Sequence, residues 1–179
     1  MFNTKPFQTI SMAGRIAYGI LCAENYAKAM YPHKDWSPLF EITWSITSSA
    51  SWDDWADRYI EVIPEYLFEF DSYEASDFEY LTKPDYETLV ALQKNTSTDW
   101  NAILKKIYEI EELYAYSTIP NHGKESLVLL EEIASILSKA SVELPPINTV
   151  SFSHFSERNG WGNPFDGRKL SSICLVDIN

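Results

Sequence analysis

The sequence predicts an all-α fold: an irregular array of about six or seven antiparallel helices followed by a turn-rich C-terminal segment. Three observations predict it. Apolar residues recur at three- and four-residue steps through most of the chain, the spacing that gathers them on one helical face. The runs are bounded by capping residues and prolines. The alternating apolar and polar pattern of a half-buried strand is convincing nowhere.

The first element spans residues 6–30, with Pro6 in a first turn, Ile10, Gly14, Ala17, Tyr18, Leu21 and Cys22 on one face, and Pro32 beyond its end. Its small residues Ala13, Gly14 and Ala17 would admit a second helix closely. Asp35 reads as an N-cap, with Pro38 in the first turn and Trp36, Leu39, Phe40, Thr43 and Trp44 as the buried face. A polar break follows at residues 47–51. Ser51 with Asp54 resembles a capping box, and Trp52, Trp55, Tyr59, Val62 and Ile63 continue at helical spacing until Pro64 kinks or restarts the helix. Residues 66–82 show no clear period. Thr82-Lys83-Pro84 opens a helix serving Tyr86, Leu89 and Val90. Ser97 or Asp99 opens another, whose stripe is Trp100, Ile103, Leu104, Ile107, Ile110 and Tyr114. The last long helix covers residues 123–139, with Leu127, Leu130, Ile133, Ala134 and Leu137 inward and Lys139 in the final turn.

Pro145 and Pro146 bar its continuation, and residues 145–179 are expected to pack less regularly onto the rest of one helical domain, residues 1–179. Residues 151–167 are rich in Ser, Asn and Gly, Asn159-Gly160 and Asp166-Gly167 are turn signals, and residues 170–178 read as a short closing helix or strand.

Composition narrows function. A chain of 179 residues with 45% hydrophobic and 15% aromatic content forms a core without a disulfide or metal. Fourteen Lys and Arg against 26 Asp and Glu give a net charge of −12, which argues against nucleic acid and anionic membrane surfaces as partners. Cys22 and Cys174 sit among apolar neighbours and are expected to be buried free thiols. The N-terminal residues lack a signal-peptide pattern, and the longest apolar runs, such as residues 127–130, fall far short of the roughly 18–20 residues of a membrane span. The expected location is the cytoplasm.

Little of the sequence reads as catalytic. His33, His122 and His154 all fall in predicted loops without a helical ligand partner, so no metal or other cofactor is expected. Phosphate-binding and nucleophile-elbow motifs are lacking, and Gly160-Trp161-Gly162 reads as a tight turn docking Trp161 on the core. Carboxylates are so numerous that close pairs are unavoidable, which leaves a small hydrolase with paired carboxylates or a His–carboxylate site as one alternative and a helical adaptor as another.

The unusual stretch is residues 59–82, which contain no Lys or Arg and interleave seven carboxylates with Tyr59, Tyr66, Phe68, Phe70, Tyr73, Phe78 and Tyr80. One reading is a solvated acidic face whose aromatics enter the core. The other is a docking surface for a basic protein, in which carboxylates steer and aromatics anchor, with Glu65, Glu69, Asp71, Tyr73, Glu74 and Asp77 as the binding residues.

The run Gly14-Arg15-Ile16-Ala17-Tyr18-Gly19-Ile20-Leu21-Cys22-Ala23-Glu24-Asn25-Tyr26 resembles a mostly all-α family of immunity proteins from bacterial polymorphic toxin systems. Trp44-Ser45, Ile63-Pro64-Glu65, Ser126-Leu127, Leu144-Pro145 and Gly160-Trp161-Gly162 extend the resemblance over nearly the whole chain. It implies a small cytoplasmic protein that neutralises a cognate toxin by tight non-covalent binding, and it supplies no catalytic residue.

Overall fold

A computed structural model describes residues 2–49 and 51–174. Among them lie seven α-helices: α1 (Met12–Met30), α2 (Ser37–Trp44), α3 (Trp52–Ile60), α4 (Pro64–Leu67), α5 (Lys83–Gln93), α6 (Thr98–Glu112) and α7 (Lys124–Lys139). Short 3-10 turns join them, and the described residues hold no strand, only an isolated bridge between Ile10 and His154. The all-α expectation holds.

The central element is α1, in which 15 of 19 residues are buried, so it is covered all round and not on one stripe. It packs against α2, α6 and α7, and α6 packs against α7. The stripes read from sequence face inward: Trp100, Ile103, Leu104, Ile107 and Ile110 of α6 and Leu127, Leu130, Ile133 and Leu137 of α7 are all buried. Gly19 is where α1 meets both, since a Cβ there would lie 3.1 Å from Ile107 and 3.6 Å from Ile133. Three helices start as their residues imply. The hydroxyls of Ser51, Thr82 and Ser97 accept the backbone N–H of Asp54, Asp85 and Trp100.

Several expectations need correction. The first helix does not begin at Pro6. Lys5–Thr9 is a 3-10 turn, Ile10 is extended, and Ser11 caps α1 by accepting the Gly14 N–H at 3.1 Å. The break occurs because the chain's partners there are distant: Ser11 N–H donates to Ser153, Ala13 N–H to Trp161, and Phe155 N–H to Thr9. Gly14 accordingly meets Ser153 and Val150 of the C-terminal segment, not another helix. The N-cap of α2 is Trp36; Asp35 sits one residue earlier, accepting the Ser37 N–H at 3.0 Å and its hydroxyl at 2.7 Å. Val62 and Ile63 are buried but lie beyond the end of α3, in a turn that Pro64 closes by starting the four-residue α4. Residues 170–178 are not a closing helix or strand as far as Cys174: Gly167–Leu170 is a 3-10 turn followed by irregular chain, and residues 175–179 lie outside the described residues. Both cysteines are buried and unpaired, and burial raises both thiol pKa values, that of Cys174 to about 12.

Three buried charges hold the irregular segments onto the helices. Arg15 donates to the Phe7, Ile10 and Gly123 carbonyls and the Ser126 hydroxyl. Glu24 accepts from the Trp44 indole at 2.8 Å, from Ser171, and from both the N–H and hydroxyl of Ser172 at 2.9 Å. Glu61 accepts the backbone N–H groups of Glu79, Tyr80 and Leu81, fixing the end of residues 66–82 against the end of α3. A buried polar group persists only when its bonding capacity is filled; backbone fills it for Glu61 and most of it for Arg15, whereas Glu24 is held by the Trp44 indole, two serine hydroxyls and one backbone N–H.

Candidate partner-binding face

Helix α3 turns Trp55, Ala56 and Tyr59 inward, which leaves Asp53, Asp54 and Asp57 on its outer side. Beside it, the inward stripe of α6 leaves Lys105 and Glu112 outside, with Tyr108 half-buried between them. The Tyr108 hydroxyl donates to Glu112 at 2.8 Å, and burial followed by that carboxylate raises its pKa. Tyr80 reaches the same side: desolvation first, then the charges of Asp57, Glu79 and Asp54, raise its pKa. One face therefore carries carboxylates from α3 and α6 interleaved with the rings of Tyr80 and Tyr108.

Two clefts of about 220 Å³ flank this face. The first lies between Ile60, Ile63, Tyr66 and Tyr108, with Glu65 and Glu69 on its edge, and Lys105 crosses it to pair with Glu65 at 2.7 Å. The second is walled by Trp52 and Trp161, whose rings meet edge-to-face at 4.8 Å, and by Tyr116 and Arg158. Asp53 stands at its rim and Glu111 lines its interior. Tyr116 is 92% exposed at φ 61°, and interaction with the Asp53 carboxylate raises the pKa of its hydroxyl.

Glu111 is the anomaly. It is 2% exposed, yet among the described residues it has no hydrogen-bond or ionic partner, unlike Glu24 and Glu61. Burial, then the nearby charges of Asp53, Glu112 and Asp57, push its carboxyl up to about 7. Because the folded value exceeds the unfolded one, native Glu111 holds a proton that the unfolded chain has released between about pH 4.5 and 7. Ionising it costs stability progressively across that window, with the full cost in place above it. Replacing Glu111 by Gln is expected to stabilise the protein, and by about 2–3 kcal/mol more at pH 8 than at pH 5. Denaturant midpoints at the two values check this; an equal effect at both would mean that the side chain is solvated in the folded state.

The six residues chosen from sequence lie along the segment that runs from the first cleft to the start of α5. Glu65 and Glu69 edge the first cleft. Asp77 accepts the Tyr66 hydroxyl at 3.1 Å, and Glu74 pairs with Lys83 at the start of α5. Tyr73 is half-buried: its hydroxyl donates to Leu81 at 3.0 Å and its ring packs on Phe78 and Tyr86. Asp71 is exposed. The aromatics of residues 59–82 divide likewise, with Tyr59 fully buried, Tyr66, Phe70, Tyr73 and Phe78 half-buried, and only Phe68 and Tyr80 exposed. Sequence reasoning missed Glu111, Trp52 and Tyr116. Position 111 stands seven residues after Leu104 and four after Ile107, a core-facing register of the α6 stripe occupied by a carboxylate. That signal was available.

Trp161 occupies its predicted turn, with positive φ at Arg158, Asn159, Gly160 and Gly162; a Cβ on Gly162 would lie 2.3 Å from the Ser11 hydroxyl. The described residues contain no group of three or more His, Cys, Asp or Glu placed to hold a metal ion, and no helix long and apolar enough to cross a membrane. No protein-family model, curated protein or solved structure matches this chain.

Proposed function

We propose that the chain is an immunity protein that neutralises a cognate bacterial toxin by non-covalent binding through the acidic–aromatic face of α3 and α6. The observation that carries this reading is the concentration of Asp53, Asp54, Asp57 and Glu112 on one side, interleaved with Trp52, Tyr80, Tyr108 and Tyr116. Carboxylates in such a field steer a basic partner and speed encounter, while Trp and Tyr provide the desolvated anchors that slow release. A toxin whose active site binds nucleic-acid phosphates presents a complementary cationic surface, and the carboxylates would stand where the phosphates bind. The sequence resemblance supports the same reading.

The test is co-expression with the toxin domain encoded beside this chain. Growth is expected to be rescued, and the two proteins to copurify. A toxic domain that still kills and does not copurify overturns the proposal.

A hydrolase reading has one observation in its favour, the raised carboxyl of Glu111 with a second carboxyl, Asp53, lining the same cleft. It requires turnover that vanishes in Glu111→Gln, whereas a docking face requires none.

A further inference from the structure

We propose that the cleft lined by Trp52, Trp161 and Tyr116 is a receptor for one arginine side chain presented by the partner, with Glu111 as its carboxylate. This rests on the reading that the face docks a protein, and it names the contact at its centre.

Four observations converge on that occupant. Glu111 is 2% exposed, has no hydrogen-bond partner among the described residues and lines the cleft. No fully buried side-chain N or O atom of the described residues lacks a partner, so its carboxylate oxygens open onto the cleft as acceptors that nothing else in the described chain fills. A buried charge left unpaired is destabilising, and such exceptions to good packing concentrate at functional sites. Trp52 and Trp161, in edge-to-face contact with each other, together give the cleft an indole surface, and a cation over a tryptophan face gains most of all the aromatic options. The surrounding charge is negative: Asp53 on the rim, with Asp57 and Glu112 close enough to act on Glu111. Arg158 is the one cation among the lining residues; it is exposed and makes no ion pair with a described carboxylate.

The chemistry of the lining, indole beside carboxylate, favours guanidinium over ammonium. A planar guanidinium can stack on an indole while its edge meets a carboxylate through two parallel N–H bonds, and it sheds water more easily than an ammonium. Tyr116, highly exposed at the mouth and held at positive φ, is placed to cover the aliphatic stem of an entering side chain.

Ionised Glu111 is the binding form, so arginine binding lowers its pKa and releases a proton, and affinity rises as pH rises through about 7. The groups facing it are Asp53 and Asp57 from α3, Glu112 from α6, Tyr116 from the turn that follows and Arg158 from the C-terminal segment. No histidine lines the cleft.

The experiment titrates the free protein with Nα-acetyl-arginine methylamide, following the indole N–H resonances of Trp52 and Trp161 by NMR. The citrulline and lysine counterparts are titrated in parallel. The arginine compound is expected to shift both indoles saturably, with citrulline weaker by about tenfold or more and lysine intermediate. Glu111→Gln, checked to be folded by circular dichroism, is expected to lose about tenfold in affinity together with the pH dependence between pH 6 and 8. Equal binding of citrulline, unchanged binding by Glu111→Gln, or no saturable shift at either indole overturns the proposal. Co-expression separates the two levels. Rescue without arginine binding leaves the immunity reading and removes the pocket, while arginine binding without rescue does the reverse.

Discussion

Replacing Arg15 by Met is expected to destabilise the protein by about 2–4 kcal/mol, the scale of removing a buried donor that serves several backbone acceptors. The side chain is 0% exposed, and its guanidinium spans two groups of acceptors. Nε and Nη2 reach Phe7 and Ile10 at 2.8–3.2 Å, while Nη1 reaches Gly123 at 2.9 Å and Ser126 at 2.8 Å. It thus joins the N-terminal turn, α1 and the start of α7, and it lies over the Phe155 ring at 5.3 Å. Burial pushes its pKa down to about 10, which leaves it charged at neutral pH. Methionine would fill much of the volume but leave the Ile10 carbonyl without its described donor, an unmet desolvation cost of about 1–3 kcal/mol before water enters, while the Phe7 and Gly123 carbonyls keep the Ile10 and Ser126 N–H groups. Lysine keeps the charge without the planar fork and cannot span both groups, so Arg15→Lys is expected to recover only part of the loss. Denaturant unfolding of both variants measures it. A loss under about 1 kcal/mol for Met would mean that the network contributes no net stability, as some buried ionic groups do not.

The same chemistry explains which parts of the fold were legible in the sequence. Helices α3, α5 and α6 begin where Ser51, Thr82 and Ser97 stand, because a cap and the N–H it accepts are only three residues apart. The stripes of α6 and α7 were legible for the same reason: periodicity is local, and the residues that share a face are near in sequence. The break before α1 carried one local signal, the Ser11 cap on the Gly14 N–H, which the earlier Pro6 start and the Ile10–Gly14 spacing overrode. What holds Ile10 and Ser11 out of a helix is a segment more than a hundred residues away, and the Ser11 and Ser153 hydroxyls meet at 2.5 Å across 142 positions. Residues 66–82 and the C-terminal segment carry no repeating pattern because one buried carboxylate each, Glu61 and Glu24, organises their backbones. A single glutamate among 26 acidic residues does not declare itself from sequence.

The candidate site shows the converse. Composition drew attention to residues 59–82, where acidic and aromatic residues are dense, but the structure spends several of them internally: Tyr59 in the core, Glu61 on backbone N–H groups, Tyr73 against Phe78 and Tyr86. The face assembled in space draws on that stretch only through Tyr80, and otherwise on α3, α6 and the turn at Trp161, which are far apart in sequence. Glu111 was the exception that could have been found, because a carboxylate in the core register of an otherwise apolar stripe breaks a local rule.

The central claim is that the face of α3 and α6 meets the partner, and association kinetics of a charge-reversed variant test it most directly. Asp53, Asp57 and Glu112 are exposed, so changing all three to Lys is expected to leave the fold intact. A control variant reverses Glu87, Glu131 and Glu143, also exposed and on other parts of the surface, and matches the change in net charge. Steering depends on where charge lies as well as on how much there is, and it is screened over about 10 Å at 0.1 M salt. The account predicts that the Asp53, Asp57 and Glu112 reversal slows association with the toxin domain by about tenfold or more at low salt and flattens the salt dependence. The control should slow association much less. Equal association rates for the two variants, or a rate unchanged from the parent protein, would contradict it and place the interface on another face.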